Sequence, residues 1–173
     1  MTQTNRSMPS SRPPLYTPEQ RIIRDRTVWT TVQGVLAPLQ FLAFAVSLVL
    51  VVRYLMSGDG YMAATVSIII KTIFLYVIMV TGAIWEKVVF GQYLLAPAFY
   101  WEDMFSFAVI ALHTAYLIGL LTGTMSPEAL MFLALAAYAT YAINAAQFIW
   151  KLRLARLDMA ARDRLDQEQA VTA

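Results

Sequence analysis

The sequence predicts an all-α, polytopic membrane protein: a bundle of about four transmembrane helices with both termini on the cytoplasmic side (N-in/C-in). Three observations predict it. Of the 173 residues, 59% are hydrophobic and only 14% charged, and the mean hydropathy is +0.57, far more apolar than a soluble domain. The apolar residues fall into four runs of about twenty, each long enough to cross roughly 30 Å of hydrocarbon, and a chain this short could not bury them all in one water-soluble core. Finally, lysine and arginine collect on one side of those runs, the pattern that orients membrane helices.

Residues 1–15 are polar and rich in proline and arginine, so they are expected to be a disordered flank without the compact apolar stretch of a signal peptide. The membrane domain is expected over 16–158. It opens with a short interfacial helix, for which Thr17 is the N-cap, Pro18 the first helical residue, and Glu19 and Gln20 partners for free amides. Span one is expected over 28–55, with Pro38 as a kink, ending at the turn-like Ser57-Gly58-Asp59-Gly60. Span two is expected over 62–84 and closes on Trp85-Glu86-Lys87. The apolar linker from Gly91 to Pro97 reads as interfacial or re-entrant. Span three is expected over 104–122, after Trp101-Glu102-Asp103, and span four over 129–150, passing directly into Lys151-Leu152-Arg153. Residues 159–173 are expected to be a polar tail, a charged and fraying helix end.

Charge sets the orientation. Arg6, Arg12, Arg21, Arg24 and Arg26 precede span one, Lys87 lies between spans two and three, and Lys151, Arg153, Arg156, Arg162 and Arg164 follow span four. All belong to one side, and the other side carries only Arg53, hence N-in/C-in. Trp29, Trp85, Tyr100, Trp101 and Trp150 sit where an aromatic belt would. The absence of cysteine and the presence of a single histidine exclude cysteine-based zinc sites, iron–sulfur clusters, disulfide frameworks and a bis-histidine haem within this chain.

Ionisable groups inside a bilayer call for partners or a cavity. Lys71 and His113 each lie about nine residues from the same end of spans two and three, roughly 13 Å deep, so they could meet on facing helices. Glu102, Ser106, His113 and Tyr116 share one face of span three, Gln33, Gln40 and Ser47 recur every seven residues in span one, and Thr140, Asn144 and Gln147 step by four and three in span four. Gln33, Glu86, Glu102, Asp103, Asn144 and Gln147 therefore gather in the cytoplasmic half. Against a functional reading stands a plain one: amides and hydroxyls are common glue between membrane helices, which suits Gln33, Gln40, Thr140 and Gln147. Glu86 beside Lys87 could be an interfacial ion pair, and Glu102 and Asp103 could simply complement a helix dipole.

Six segments, Leu15 to Glu19, Val32 to Phe41, Val66 to Thr72, Ile84 to Gly91, Ala96 to Asp103 and Asn144 to Phe148, together resemble the 3-vinyl bacteriochlorophyllide hydratase family of anoxygenic phototrophs, over roughly Pro13 to Arg156. The resemblance implies addition of water across the C3 vinyl group of a chlorophyllide-type magnesium macrocycle, giving a 1-hydroxyethyl group, in a bacterial inner membrane, either cytoplasmic or intracytoplasmic photosynthetic. Such a hydration begins with protonation of the terminal vinyl carbon, because the cation left on the inner carbon is delocalised into the ring. It needs an acid, a base and a placed water, and no cofactor or metal of the enzyme's own. A carboxyl among aromatics can keep its proton, so Glu102 or Glu86 could be the acid and Asp103 or His113 could position the water. Alternatively, His113 could ligate the substrate magnesium.

The candidate catalytic residues are thus Glu86, Glu102, Asp103 and His113. Trp85, Phe99, Tyr100 and Trp101 are expected to receive the ring, with Lys71, Asn144 and Gln40 as further substrate contacts. Partners are the macrocycle and the bilayer, with no nucleic acid; four helices are few to enclose such a ring, so a homo-oligomer or a complex with neighbouring pathway enzymes is expected. Two other readings compete. A non-catalytic pigment-binding or assembly protein would use the same aromatics without the acids. A small transporter would show an inverted repeat, and spans one and two show no convincing similarity to three and four.

Overall fold

The computed structural model describes residues 15–172. The flank expected to be disordered therefore lies, Leu15 apart, outside the described residues. Five helices follow in order: α1 (Pro18–Arg26), α2 (Val28–Ser57), α3 (Tyr61–Phe90), α4 (Tyr100–Thr122) and α5 (Pro127–Thr172). There is no strand among the described residues, and α2 to α5 are each long and apolar enough to cross a membrane, so the protein is an all-α, multi-pass membrane bundle. Valines and leucines such as Leu42, Val49, Val80 and Leu121 lie exposed on the outward faces, where lipid is the solvent.

Local chemistry sets the ends of the elements. Thr17 and Gln20 form a reciprocal capping box on α1, the Thr17 amide donating to Gln20 Oε1 at 2.9 Å and the Gln20 amide to Thr17 Oγ1 at 3.2 Å. Burial pushes the Tyr16 phenol above its usual pKa, and the Arg24 guanidinium, 4.6 Å from the ring centroid, pulls it back down. Helix α2 continues unbroken through Pro38. It stops at Gly58 and α3 stops at Gly91, both left-handed (φ 76° and 85°), each returning its amide to the carbonyl four residues back, Tyr54 and Lys87. Span two is thereby longer than 62–84: α3 carries Trp85, Glu86 and Lys87 as regular helix. Helix α5 likewise runs on well past Trp150.

The helices pair as two antiparallel hairpins, α2 with α3 and α4 with α5. Helix α2 also meets α5, whereas α3 and α4 come close over only a short stretch. At Gly119 a Cβ would fall 2.6 Å from Met125 Sδ, so the missing side chain lets the second hairpin close tightly around its turn. An apolar core of Val51, Tyr54, Ala64, Ile68, Tyr116, Leu130, Met131, Ala134 and Tyr138 fills the half nearer the two short turns. The opposite half, next to α1, holds a smaller aromatic core of Tyr16, Val89 and Phe99 with Trp85, Phe90 and Phe148 around it. The ionisable groups lie beside this second core and along the α3–α4 seam.

Candidate active site

Three helices converge at the α1 end. The last full turn of α3 supplies Glu86, the first turn of α4 supplies Glu102 and Asp103, and one stripe of α5 supplies Asn144, Gln147 and Lys151, whose steps of three and four keep them on a single face. Glu86, Glu102, Asp103 and Asn144 are all buried.

Glu86 and Asp103 are neighbouring buried acids, one from the end of α3 and one from the start of α4, both tied to the loop that joins those helices. The loop between α3 and α4 clamps the pair from outside. The Leu95 amide donates to Asp103 Oδ2 at 2.7 Å and the next amide, Ala96, to Glu86 Oε2 at 3.2 Å. Leu95 adopts φ 60°, a left-handed conformation costing a branched residue roughly 1–2 kcal/mol, and it is this bend that directs consecutive amides at two different carboxyls.

Glu102 has a different partner. Its Oε2 lies 2.6 Å from Lys151 Nζ, an ion pair across α4 and α5. Lys151 also rests 5.1 Å from the Phe99 ring centroid. Ser106, one turn on, donates to the Glu102 backbone carbonyl at 2.9 Å and accepts from Asn144 Nδ2 at 2.8 Å. Of the two acids suggested by sequence, Glu102 is ion-paired with Lys151 and Glu86 accepts from the Ala96 amide. The ion pair envisaged between Glu86 and Lys87 is not formed: neighbours on a helix point about 100° apart, and Lys87 instead donates to the Gly91 carbonyl at 2.6 Å.

The four aromatics expected to receive the ring do not share a face. Phe99, only 2% exposed, packs inward against Trp85, Phe90 and Phe148 at centroid distances of 5.7–5.8 Å, and Trp85 is fixed by its Nε1 donating to Thr30 Oγ1 at 2.9 Å. Tyr100 and Trp101 stack edge to face on one another and point outward, Trp101 being 69% exposed. Successive residues entering a helix cannot all face one way.

His113 and Lys71 do not join this site. His113 is ten residues beyond Asp103 on α4, about 15 Å along the axis. Its Nδ1 lies 2.8 Å from the Val109 carbonyl, which can only accept, so Nδ1 carries the hydrogen and Nε2 accepts from Lys71 Nζ at 2.6 Å. Both ring nitrogens are thus engaged within the bundle. Lys71, fully buried, also lies 4.3 Å and 5.3 Å from the ring centroids of Tyr141 and Tyr138. With Tyr76 and Thr114, 2.8 Å apart, this pair bridges α3 and α4. Gln40 is 2% exposed, inside α2, with both side-chain polar atoms unpartnered among the described residues. Gln33 bonds Thr81 Oγ1 at 2.7 Å, a purely interhelical contact.

Sequence reasoning missed Lys151, which it counted only as flanking charge, although Asn144, Gln147 and Lys151 continue one stripe. It also missed the Leu95 and Ala96 amides, which carry no side-chain signal. Among the described residues no group of three or more histidine or acidic side chains could hold a metal ion.

A family model described as 2-vinyl bacteriochlorophyllide hydratase matches residues 16–154. A protein of that name from Rhodobacter capsulatus is 71% identical over 154 residues, covering 88% of this chain and 89% of the relative. Another of the same name from Cereibacter sphaeroides is 68% identical over 162 residues, covering 93% and 99%. No solved structure matches the chain.

Proposed function

The chain belongs to the 2-vinyl bacteriochlorophyllide hydratase family, and from that premise we propose how its residues add water to the vinyl group of a bacteriochlorophyllide-type macrocycle. It is a hydro-lyase of bacteriochlorophyll biosynthesis, and the vinyl group numbered 2 in these names is the one numbered 3 above.

Two buried acids, Glu86 and Asp103, held by consecutive amides of one loop, carry the proposal, in which they share one proton. The vinyl π pair takes that proton at its terminal carbon, leaving the inner carbon cationic and conjugated with the ring. A water oxygen then bonds the inner carbon and gives its extra proton to the Glu102 carboxylate. Return of this proton from Glu102 to the neighbouring pair restores the enzyme, so the net change is one water added. Lys151 holds the Glu102 carboxylate in place as the base, while the Leu95 and Ala96 amides keep the acid pair in register. Such acid–base catalysis contributes about 10²- to 10⁴-fold. The substrate is too large for the packed interior, so it approaches from the lipid, its ring edge reaching the carboxyls near Phe99 and Trp85 and its face meeting Tyr100 and Trp101.

The same reading sets both ends of the chain in the cytoplasm, supported by Arg24, Arg26, Lys87, Lys151 and Arg153 at the α1 end against Arg53 at the other. The membrane would be the cytoplasmic or intracytoplasmic photosynthetic membrane, and the bundle would act as a homo-oligomer or within a complex of pathway enzymes, since four helices offer little enclosure for so broad a ring.

The test is to incubate membranes containing the protein with a 3-vinyl chlorophyllide in oxygen-labelled water and analyse the pigment by mass spectrometry. A product heavier by one labelled water is expected. Pigment retained by the purified protein but never converted would replace the hydratase with a binding or assembly role.

A further inference from the structure

On the stripe of α5 that faces Glu102, two buried acceptors have no partner among the described residues: Asn144 Oδ1 and Gln147 Oε1. Asn144 is only 8% exposed. Its orientation is fixed, because the Ser106 hydroxyl hydrogen is already given to the Glu102 carbonyl and only an N–H can approach Ser106 Oγ. Oδ1 must therefore point elsewhere. Gln147 follows three residues on and precedes Lys151 by four, so the two free carbonyl oxygens lie about one turn apart, Gln147 one turn from Lys151 and Asn144 joined to the Glu102 backbone through Ser106. Buried acceptors left without a donor are costly, and these two want a small ligand with two donors.

We propose that Asn144 and Gln147 hold the attacking water. Water supplies two O–H groups and no bulk, and donating both to the amide oxygens turns its lone pairs away from them, toward the electrophilic carbon. The inference rests on the hydratase reading and adds two positioning residues to it. When the C–O bond forms, the oxygen becomes acidic, and one of those protons leaves its amide oxygen for the Glu102 carboxylate; the second stays as the product hydroxyl, still bonded to the other amide oxygen.

Gln147→Met keeps length and volume but removes the acceptor, and Gln147→Glu restores an acceptor. Steady-state kinetics should show kcat of Gln147→Met falling about 100-fold, the scale of a misplaced reactant, with KM within about twofold, and the ratio of the two 1-hydroxyethyl epimers drifting toward equality. Gln147→Glu should retain kcat within about tenfold of wild type. Wild-type kcat and epimer ratio in folded Gln147→Met would overturn the water site, as would equal losses in both variants. If Gln147→Met does not fold, Gln147→Glu decides alone, a loss beyond tenfold overturning the proposal. Wild type run alongside separates the two readings: its failure to hydrate would sink the hydratase, whereas an indifferent Gln147→Met beside an active wild type would sink only the water site.

Discussion

Glu86, Asp103 and Glu102 are three acids at one level, distinguished by what each touches. Glu86→Gln and Asp103→Asn preserve shape but remove the proposed proton donor, and each is expected to lower turnover by about 10²- to 10⁴-fold. Pigment binding, followed by absorbance titration of the purified protein, should stay unchanged. Lys151→Met should also depress turnover, because it removes the ion-pair partner that positions the Glu102 carboxylate. The presence of these acids was legible in the sequence, since a carboxylate beside an apolar span needs a reason. Their division of labour was not. It depends on which oxygen meets which partner, and two of those partners are backbone amides of Leu95 and Ala96, groups that every residue but proline possesses.

The α3–α4 loop is the element that turns two separate carboxyls into a pair. Leu95→Gly removes the left-handed penalty and keeps the amide, so activity should survive with thermal stability equal or slightly raised. Leu95→Pro removes the donor and cannot adopt φ 60°, so activity should be lost while the helices remain, a contrast that circular dichroism and product analysis would resolve. The Lys71–His113 bond has a different purpose, joining one hairpin to the other. His113→Phe or Lys71→Met should each destabilise the detergent-solubilised protein by about 1–3 kcal/mol, the penalty of an unsatisfied buried group. The double variant should cost less than the sum, and kcat per folded molecule should change little. Residue counting put Lys71 and His113 at one depth because helical rise is regular. It could not put Phe99 inward and Trp101 outward, since the phase of a helix emerging from an irregular loop depends on that loop.

For the whole molecule, four spans and their order were written in hydropathy alone, because lipid imposes length and apolarity on anything that crosses it. The pairing into two hairpins with a loose α3–α4 seam was not, as it depends on which small residues, such as Gly119, permit close approach. If both ends face the cytoplasm, fusions of a periplasm-active phosphatase to either terminus should be inactive, and one placed in the Gly58–Gly60 turn active; the reverse pattern would invert the assignment.

The bond between Lys71 and His113 spans 42 residues of sequence, and this has a consequence for biogenesis. A helix with an ammonium at its middle is a poor guest in lipid by itself. At about 5–20 residues per second, His113 is synthesised roughly two to eight seconds after Lys71. For that interval α3 has no imidazole to meet, so it should linger at the translocon until α4 emerges, and the two hairpins should be released into the bilayer together.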